Sequence, residues 1–332
     1  MTLNPLFSRL ESYCKKHALF TSGNRIIIGL SGGPDSVFLL YFFKYMQAAH
    51  HLTLIAAHLD HQWRADSTAD VSFCQALCDR LEIPFMTTKL DQLPALISRG
   101  SQEDVGRRAR RLFFQDIAQK QNADVIALAH HADDQQETFF IRLARGTSLS
   151  GLVGIQPRNG LYIRPLLAIR KKEMLAWLDQ NTISYLTDPS NESNNYLRNR
   201  IRNAGLPTLR SCDARFDDNF FACLDRLQQA HEFIEQSART TLKSITNTAG
   251  PDGQPAIDIA RLLSLHQVLL STILIEWLIS NRVPFTPTQA FLSEIMRFLA
   301  NTKAKTHNMN PGWRLVKNKN LMYIQREYTA LK

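Results

Sequence analysis

The sequence predicts an α/β protein, in which a doubly wound, mostly parallel sheet is followed by a smaller, mainly helical domain with a terminal β-hairpin. Up to about residue 190, short apolar segments of strand length alternate with longer segments of helical periodicity. This alternation is typical of βαβ units, because parallel strands are joined through a crossover helix. Beyond about residue 215 the alternation ends and long helical patterns predominate.

Five segments of the first part have the length and the β-branched or apolar content of buried strands. In chain order they are RIIIGL (25–30), LTLIAAHLDH (52–61), IPFMTTKL (83–90), ADVIALAHH (123–131) and LYIRPLLA (161–168). Helical patterns lie before, between and after them, in 1–20, 35–49, 66–82, 101–121, 133–145 and 169–181. The order of these segments predicts a parallel sheet.

The last third of the chain has a different pattern. Helices are predicted at 220–245, 260–281 and 287–301, and a hairpin at 313–327 with KNKN at its turn. We therefore predict two domains, at residues 1–205 and 206–332.

The composition limits the classes of protein to which the chain can belong. Its 39 Lys and Arg exceed its 30 Asp and Glu, and the net charge of +9 favours a polyanionic partner such as nucleic acid, although many basic proteins bind none. Five scattered cysteines without a Cys-x-x-Cys pair argue against a disulfide framework, a zinc ribbon or a cysteine-bound iron–sulfur cluster. We expect no signal peptide and no membrane span, and hence a cytoplasmic protein.

The first predicted strand is followed by the stretch SGGPDS at residues 31–36. A helix N-terminus offers unpaired N–H groups and partial positive charge, and glycines let a phosphate approach them. The stretch matches neither the dinucleotide pattern GxGxxG nor the Walker pattern GxxxxGK[ST]. A carboxylate beside phosphates, here Asp35, is typical of a magnesium site. An ordinary β–α turn is the alternative, but the complete motif favours a phosphate-binding loop of another type.

This stretch resembles the pyrophosphatase loop of the N-type ATP pyrophosphatase (PP-loop) superfamily, and further blocks resemble the tRNA(Ile)-lysidine synthase family. The blocks are HLDHQWR (58–64), SQEDVGRRARRLFF (101–114), AHHADDQQETFFIRLARGTSLSGLVGI (129–155), RPLLAIRKKEM (164–174) and DPSNESNNYLRNRIR (188–202). The loop specifies only the superfamily, whereas DDQQET and RNRIR point to the synthase family. The sequence departs from the family pattern at Gly106, Arg111 and Ser148.

The resemblance implies a PP-loop ATPase, Rossmann-like fold for 1–205 and a tRNA-binding role for 206–332. It implies ATP-dependent ligation of free L-lysine to the cytidine at the first anticodon position of tRNA(Ile) with a CAU anticodon. The ring carbonyl attacks the α-phosphate of ATP and pyrophosphate leaves. Lysine then displaces AMP, which gives lysidine. The cofactors and partners implied are ATP, Mg²⁺, tRNA(Ile) and free lysine, and no membrane is involved. Whether the protein forms a homodimer is left open.

The resemblance also assigns the site residues. ATP-binding residues are expected at Ser31, Gly32, Gly33, Pro34, Asp35, Ser36, His58, Arg107, Arg198 and Arg202. The expected catalytic residues are Asp35, His130, Asp134 and Arg107, and Asp35 and Asp134 are expected to hold magnesium. For Arg107 the alternative is a solvated helix face. For Asp134 the alternative is a helix cap, since acids are favoured at helix N-termini.

Glu137 lies one helical turn beyond Asp134 and is expected to bind the ammonium group of lysine, with an exposed helix carboxylate as the alternative. Arg198, Arg200 and Arg202 alternate in RNRIR, and the family pattern favours the first and last. In the second domain Trp313 is expected either to contact tRNA, with Arg314, Lys317 and Lys319, or to lie in the core. The chain resembles the shorter form of the family, without a further C-terminal domain.

Two other functions agree with parts of this pattern. A tRNA base thiolase of the same superfamily would need a reactive cysteine or a cysteine-bound cluster near the ATP. Cys74 and Cys78 lie four apart on a predicted core helix and do not supply one. A non-catalytic RNA-binding protein with a relict ATP fold would not need Asp35, Asp134 and Glu137 intact.

Overall fold

The computed structural model describes residues 4–63, 67–94, 102–187, 197–247, 250 and 253–326. Parts of the resembling blocks, at 64, 101 and 188–196, lie outside these residues. The chain divides into two compact units, residues 1–224 and 225–332. The structural division falls after the boundary at 205 and 206 that the sequence predicts, and the predicted assignment of functions to two domains stays a prediction.

The first unit contains six strands and nine complete helices among its described residues. The strands are β1 (Arg25–Gly29), β2 (Thr53–Asp60), β3 (Phe85–Lys89), β4 (Val125–Ala127), β5 (Arg158–Asn159) and β6 (Tyr162–Ile163). The helices are α1 (Pro5–Lys16), α2 (Pro34–Ala49), α3 (Ser67–Arg80), α4 (Gln102–Lys120), α5 (Ala132–Ala144), α6 (Leu149–Leu152), α7 (Lys171–Gln180), α8 (Leu197–Arg200) and α9 (Leu206–Cys212). Helix α10 (Phe216–Ile245) begins in the first unit and ends in the second.

The six strands form one sheet in the order β3-β2-β1-β4-β6-β5, parallel except for the short β5–β6 pair. Strand β1 lies at the centre, and alternate residues of β1 enter two cores on opposite faces. Ile26 and Ile28 pack in one core, whereas Ile27 packs in the other. Because successive side chains of a strand point to opposite faces, an uninterrupted apolar strand requires cover on both sides. The predicted doubly wound sheet is confirmed.

The fifth predicted strand, 161–168, is mostly not a strand. Only Tyr162 and Ile163 pair in β6, and a 3₁₀ helix follows at Pro165–Ala168. Proline lacks the N–H group that a sheet ladder requires, so the strand ends before Pro165.

The second unit contains the remaining helices and a sheet. The helices are α11 (Ile259–Leu263), α12 (Gln267–Ser280) and α13 (Gln289–Ala300). The strands are β7 (Thr246–Asn247), β8 (Ala256–Asp258), β9 (Thr306–Asn310), β10 (Trp313–Asn318) and β11 (Leu321–Arg326), in the antiparallel order β7-β8-β11-β10-β9. The predicted terminal hairpin is confirmed as β10–β11, but it belongs to a five-stranded sheet that the sequence pattern does not predict.

The helix predicted at 260–281 is two helices. The imidazole of His266 accepts a hydrogen bond from the N–H of Val268 and so caps the start of α12. A capped N-terminus satisfies a donor that has no partner in the first helical turn, which stabilises a break at this position. Within the described residues, no helix is long and apolar enough to cross a membrane.

Candidate active site

The predicted phosphate loop lies where the chain topology reverses. Strands β1 and β4 are parallel neighbours, and β1 is followed along the chain by β2 on its other side. In open α/β sheets, the crevice at such a switch point lies beyond the carboxyl ends of the strands and is the usual ligand site. The loop after β1 and the segment after β4 therefore meet at this edge.

The backbone of the loop depends on Gly32. Its φ of +81° lies in the left-handed region, and a Cβ there would approach Cδ1 of Leu186 to 2.6 Å. The carbonyl of Gly32 also accepts a hydrogen bond from the N–H of Leu186 at 2.9 Å. A residue with a side chain would be strained in conformation and would collide with Leu186.

The two serines of the loop hold it closed. The hydroxyl of Ser36 donates to the carbonyl of Gly33 at 2.9 Å and accepts from the N–H of Ser31 at 3.1 Å. The two hydroxyl oxygens lie 3.1 Å apart. The structure thus gives Ser36 a role inside the loop, and its contact with a phosphate stays a prediction. Helix α2 begins after Gly33, which has no side chain to cap it, with Pro34 at its first position.

Asp35 lies in the first turn of α2, and its two carboxylate oxygens have different surroundings. Oδ2 lies 3.6 Å from Nε2 of His131 and 3.5 Å from Nζ of Lys171. Oδ1 is buried without a hydrogen-bond partner. Burial alone would raise the pKa of Asp35, but His131 and Lys171 hold it below its ordinary value, so the carboxylate is charged at neutral pH. An unpartnered buried carboxylate oxygen is costly unless a ligand satisfies it.

His131 is surrounded by three carboxylates. Its Nε2 lies 3.6 Å from Asp35 and 3.6 Å from Asp134, and its Nδ1 lies 3.4 Å from Asp133. Burial would lower the pKa of His131, but the three acids raise it to about 10, so the ring is a cation at neutral pH. The reciprocal effect lowers the pKa of Asp133 to about 2. Of the two histidines at the end of β4, the resemblance favoured His130, whereas His131 is the one that these carboxylates surround.

Both acids at the start of α5 also bind backbone N–H groups. Oδ2 of Asp134 accepts from the N–H of His131 at 2.9 Å, and Oδ2 of Asp133 accepts from the N–H of Lys171 at 2.8 Å. The helix-cap alternative for Asp134 is therefore observed. The cap uses only Oδ2. The other oxygen, Oδ1 of Asp134, lies 4.0 Å from Arg198, at the edge of ion-pair distance.

The donors near the loop fit a magnesium ion that shares its coordination with phosphates. Asp35 offers an oxygen without a partner, and Asp134 contacts the same ring nitrogen of His131 as Asp35 does. In the part of the chain that the structure describes, no group of three or more His, Cys, Asp or Glu side chains could hold a metal ion. Mg²⁺ at nucleotide sites commonly uses only one or two protein carboxylates together with phosphates and water, so two aspartates agree with that role.

The other two predicted histidines lie at the same sheet edge, where His58 is buried and His130 is half-buried. Burial, together with the charges of Arg164 and Arg198, lowers the pKa of His130 to about 4, and its Nδ1 has no hydrogen-bond partner. His58 donates from Nδ1 to the carbonyl of Leu30 at 2.9 Å, and burial lowers its pKa. His58 thus supports the residue before the loop, while contacts of either histidine with nucleotide stay predictions.

Glu137 is paired with two arginines that were predicted to bind ATP. Its side chain is 1% exposed, with Oε1 at 2.5 Å from Nε of Arg202 and Oε2 at 2.9 Å from Nε of Arg198. Burial opposes the charge of Arg202, but its hydrogen bonds to Glu137 raise its pKa overall. The alternative of an exposed carboxylate is wrong. A lysine ammonium group would have to share or displace these guanidinium partners.

Local helix geometry places Arg202 in this pair. A π-helical segment, Ile201–Gly205, separates α8 from α9, and Pro207 stands at the start of α9. Proline cannot donate the helical hydrogen bond and clashes with the carbonyl four residues earlier, which favours a local widening. Such segments occur frequently at functional sites.

The remaining predicted arginines lie at the surface. Arg107 is 79% exposed and pairs with Asp104 one turn earlier on α4 at 2.6 Å. This is the solvated helix face named as its alternative, and its contact with nucleotide stays a prediction. Arg200 is exposed.

A second charged cluster holds α5 to the segment after residue 206. The amide of Gln136, 1% exposed, accepts from Arg210 at 2.9 Å and donates to Asp217 at 2.7 Å. Arg170 also pairs with Asp217 at 3.1 Å. The cluster explains why the first unit extends beyond residue 205. The sequence pattern did not predict it, because Arg210 and Asp217 lie 74 and 81 residues from Gln136 along the chain.

The chain belongs to the PP-loop family. The family model described as "PP-loop domain" matches residues 5–209, which include the loop, His131 and the arginines around Glu137. This assignment defines the class: a PP-loop domain that carries a charged site at the switch point of a parallel sheet.

Among curated proteins the chain is similar to several named tRNA(Ile)-lysidine synthase. The one from Bacillus subtilis (strain 168) is 34% identical over 266 residues, which are 78% of this chain and 56% of that protein. The one from Geobacillus kaustophilus (strain HTA426) is 33% identical over 301 residues, 88% of this chain and 64% of that protein. The chain thus spans about three-fifths of the length of these relatives.

Among solved structures, the U34-tRNA thiolase NcsA from Methanococcus maripaludis, with its [4Fe-4S] cluster, resembles the chain with a TM-score of 0.56. The identity is 17%, and the match covers 68% of this chain and 78% of that one. At this identity the likeness supports the fold alone.

Proposed function

We propose that the protein ligates free L-lysine to the cytidine at the first anticodon position of tRNA(Ile) with a CAU anticodon, at the expense of ATP. The products are lysidine, AMP and pyrophosphate. The observation that carries the proposal is the loop of residues 31–36, which presents the unpartnered Oδ1 of Asp35 at the switch point, in a chain similar to curated tRNA(Ile)-lysidine synthases.

The first step joins the cytidine to AMP. The ring carbonyl oxygen bonds to the α-phosphorus of ATP, the bond from that phosphorus to the bridging oxygen breaks, and pyrophosphate leaves. Negative charge accumulates on the departing group, so N–H donors and cations should surround it. The first turn of α2 supplies the N–H groups, while Lys171 and His131 supply positive charge beside Asp35.

Asp35 and Asp134 would hold the magnesium ion, which would supply charge neutralisation to the phosphates. His131 keeps these two carboxylates close to each other, because its cationic ring lies 3.6 Å from both. Lys171, at the start of α7, also pairs with Asp35. Asp35 therefore links α2 to α7 through Lys171 and to the start of α5 through His131.

The second step replaces AMP by lysine. The amine attacks the ring carbon that carries the adenylate, the carbon–oxygen bond to AMP breaks, and the nitrogen loses its protons to reach the product. Free amines of this kind are mostly protonated at neutral pH, so the site must first bind an ammonium group and then accept a proton. We assign ammonium binding to Glu137. Arg198 and Arg202, which pair with it, are assigned to phosphate contact.

The thiolase alternative fits the cysteines poorly. Among the five free cysteines, Cys14, Cys74 and Cys78 are buried, and burial raises the pKa of Cys74 and Cys78 to about 12. Cys74 lies close to the loop, with its sulfur 3.7 Å from Nδ1 of His58, but a neutral buried thiol is a poor nucleophile and a poor cluster ligand.

Further parts of the proposal concern partners and location. The second unit, which carries 13 of the 39 basic residues, is proposed to bind the body of the tRNA. Free lysine and tRNA meet in the cytoplasm, where the reaction is proposed to occur. A homodimer is not required by this mechanism, because all the assigned residues belong to one chain.

Mass analysis of the anticodon nucleoside tests the proposal. An isoleucine tRNA transcript with a CAU anticodon is incubated with the protein, ATP, magnesium and lysine, and is then digested to nucleosides. We expect the first anticodon cytidine to gain the mass of lysine less one water, and only when both ATP and lysine are present. A cytidine of unchanged mass, or one that gains sulfur, contradicts the proposal.

A further inference from the structure

The second unit contains a cleft that is remote in sequence from the PP-loop and has no role in the reaction above. It consists of two adjoining cavities of about 410 and 490 Å³ that share Met309 and Asn310 in their walls. One wall is the segment 284–288 between α12 and α13, and the other is the turn from β9 to β10. Small-ligand sites in proteins commonly have volumes of roughly 300–1,000 Å³.

Both walls of the cleft are fixed by local structure. The β9–β10 turn contains Pro311 and Gly312, and Gly312 has a φ of +78°, which suits the third residue of a tight turn after proline. The amide of Asn310 donates to the carbonyl of Pro284 at 2.8 Å and so links the two walls. The cleft is therefore formed before any ligand binds.

Aromatic rings lie on both sides of the cleft. Phe285 and Phe291 stack on one side, with ring centroids 5.5 Å apart and an interplanar angle of 26°. On the other side the guanidinium of Arg326 lies 5.3 Å from the ring centroid of Trp313. All three rings are half-buried, so each keeps part of its surface accessible. Unpaired bases are bound by stacking on such rings, and by arginine planes beside them.

Polar groups lie next to the rings. Asn308, Asn310 and Thr286 line the cavities, and Nε of Arg314 donates to Oδ1 of Asn308 at 2.9 Å. Residues 301–326 contain six Lys or Arg and no Asp or Glu. A nucleotide matches this mixture of groups, because its base edge can bond to amides and its phosphate to an arginine.

We propose that this cleft binds an unpaired nucleotide of the RNA substrate, with the base stacked on the ring of Phe285 and the adjacent phosphate contacted by Arg314. The inference deepens the proposed function, since it rests on an RNA partner and names a site for it. The cleft would add affinity for tRNA without taking part in the chemistry.

Binding measurements on matched variants test the cleft. In Phe285→Leu the apolar volume is largely kept and the ring is lost. Phe233→Leu is the control, because Phe233 is an aromatic residue of the same unit that is 69% exposed and lies outside the cleft. We expect Phe285→Leu to weaken binding of the isoleucine tRNA about tenfold, with an unchanged dependence on salt, and Phe233→Leu to bind as the unchanged protein does.

Arg314→Gln tests the phosphate contact separately. We expect it to weaken tRNA binding and to reduce the slope of log affinity against log salt by about one. Ultraviolet cross-linking of the unchanged protein to the tRNA, followed by peptide mapping, should place a nucleotide on the peptide that contains Phe285.

The outcomes separate this inference from the proposed function. If the unchanged protein forms lysidine but Phe285→Leu and Phe233→Leu bind tRNA equally, the cleft proposal is overturned and the reaction is not. If Phe285→Leu alone loses affinity and the cross-link maps to the cleft, the proposal is supported, whether or not lysidine is found. Circular dichroism of both variants must match the unchanged protein, and Trp313→Phe, which keeps an aromatic ring, should retain affinity.

Discussion

The two units differ in what they bury. Among the residues that the structure describes, all seven buried polar or charged side chains belong to the first unit, and the second unit buries none. They are Ser36, His58, Asp60, His131, Gln135, Gln136 and Glu137. The second unit has a core of aliphatic and aromatic side chains, with Ile273, Leu274 and Leu315 fully buried.

Burying a polar group costs free energy unless it is hydrogen-bonded, and burying a charge costs more. The second unit bears little of this cost: among its described residues, the one buried side-chain nitrogen or oxygen without a hydrogen-bond partner is Nε1 of Trp277. In the first unit the free-energy cost of buried charge is concentrated around one loop, where carboxylates pair with histidines and arginines of opposite charge. The comparison teaches that buried charge distinguishes the two units, whereas the net positive charge of the chain is shared by both.

The largest expected effect concerns Asp35. Asp35→Asn removes the negative charge that pairs with His131 and Lys171 but keeps the shape of the side chain. We expect pyrophosphate release to fall by at least about a thousandfold while tRNA binding is unchanged, because charge at a phosphate site is worth several kcal/mol in the transition state. Asp116→Asn, on the exposed face of α4, is the control. Loss of folding in Asp35→Asn, seen by circular dichroism, would mean that the residue is structural.

The second prediction concerns thiols in the first unit. Burial raises the pKa of Cys74 to about 12, so only about one molecule in ten thousand carries the thiolate at pH 8. We expect iodoacetamide to modify Cys74 at least about a hundredfold more slowly than the exposed Cys212, and the rate at Cys74 to rise with pH throughout the stable range. Peptide mapping after timed alkylation measures both rates. Fast labelling of Cys74 would favour the thiolase alternative.

The third prediction compares two glutamates, one in each unit. Glu137→Gln leaves Arg198 and Arg202 facing each other without a shared anion, and we expect the free energy of unfolding to fall by about 2–3 kcal/mol. The arginines are partly exposed, which keeps the loss below that of a fully buried pair. Glu235, in α10, is 46% exposed, so Glu235→Gln should lower the free energy of unfolding by only about 0.5 kcal/mol or less. Denaturant unfolding measures both, and equal losses would contradict the proposed contrast between the units.

The smallest expected effect concerns Lys317. The sequence predicts it among the tRNA contacts, but its Nζ donates to the carbonyls of Phe298 and Asn301 at the end of α13. The same Nζ lies 4.6 Å from the ring centroid of Phe298. Lys317→Met should therefore destabilise the protein by about 1 kcal/mol and leave the salt dependence of tRNA binding unchanged. A reduced salt slope with normal stability would restore the original assignment.

The sequence was sufficient for most of the first unit because its strands are fully apolar and alternate with helices. Strands β1 to β4 and helices α2 to α5 lie where the pattern predicts them. The position of the loop was also predictable, because the complete motif SGGPDS, rather than the glycine pair alone, stands between a predicted strand and a predicted helix. The second unit was harder, since β7 and β8 are two and three residues long and leave no periodic pattern.

The contacts within the site were not predictable from the sequence. Glu137 and Arg202 are 65 residues apart, and only the packing of α5 against the π-helical segment brings them together. The role of His131 depends on three carboxylates from α2 and α5 that converge in space. Sequence motifs predicted Asp35, Asp134 and Glu137 as site residues, whereas their contacts with His131, Lys171 and the arginines depend on the tertiary fold.

The most direct test of the central claim follows the α-phosphate of ATP. ATP labelled at the α-phosphorus is incubated with the protein, magnesium and the isoleucine tRNA in the absence of lysine, and the tRNA is then isolated. Our account predicts that the label becomes attached to the tRNA, that Asp35→Asn prevents this, and that added lysine releases the label as AMP. Label that never reaches the tRNA, or a transfer that starts from the γ-phosphate instead, would contradict the account.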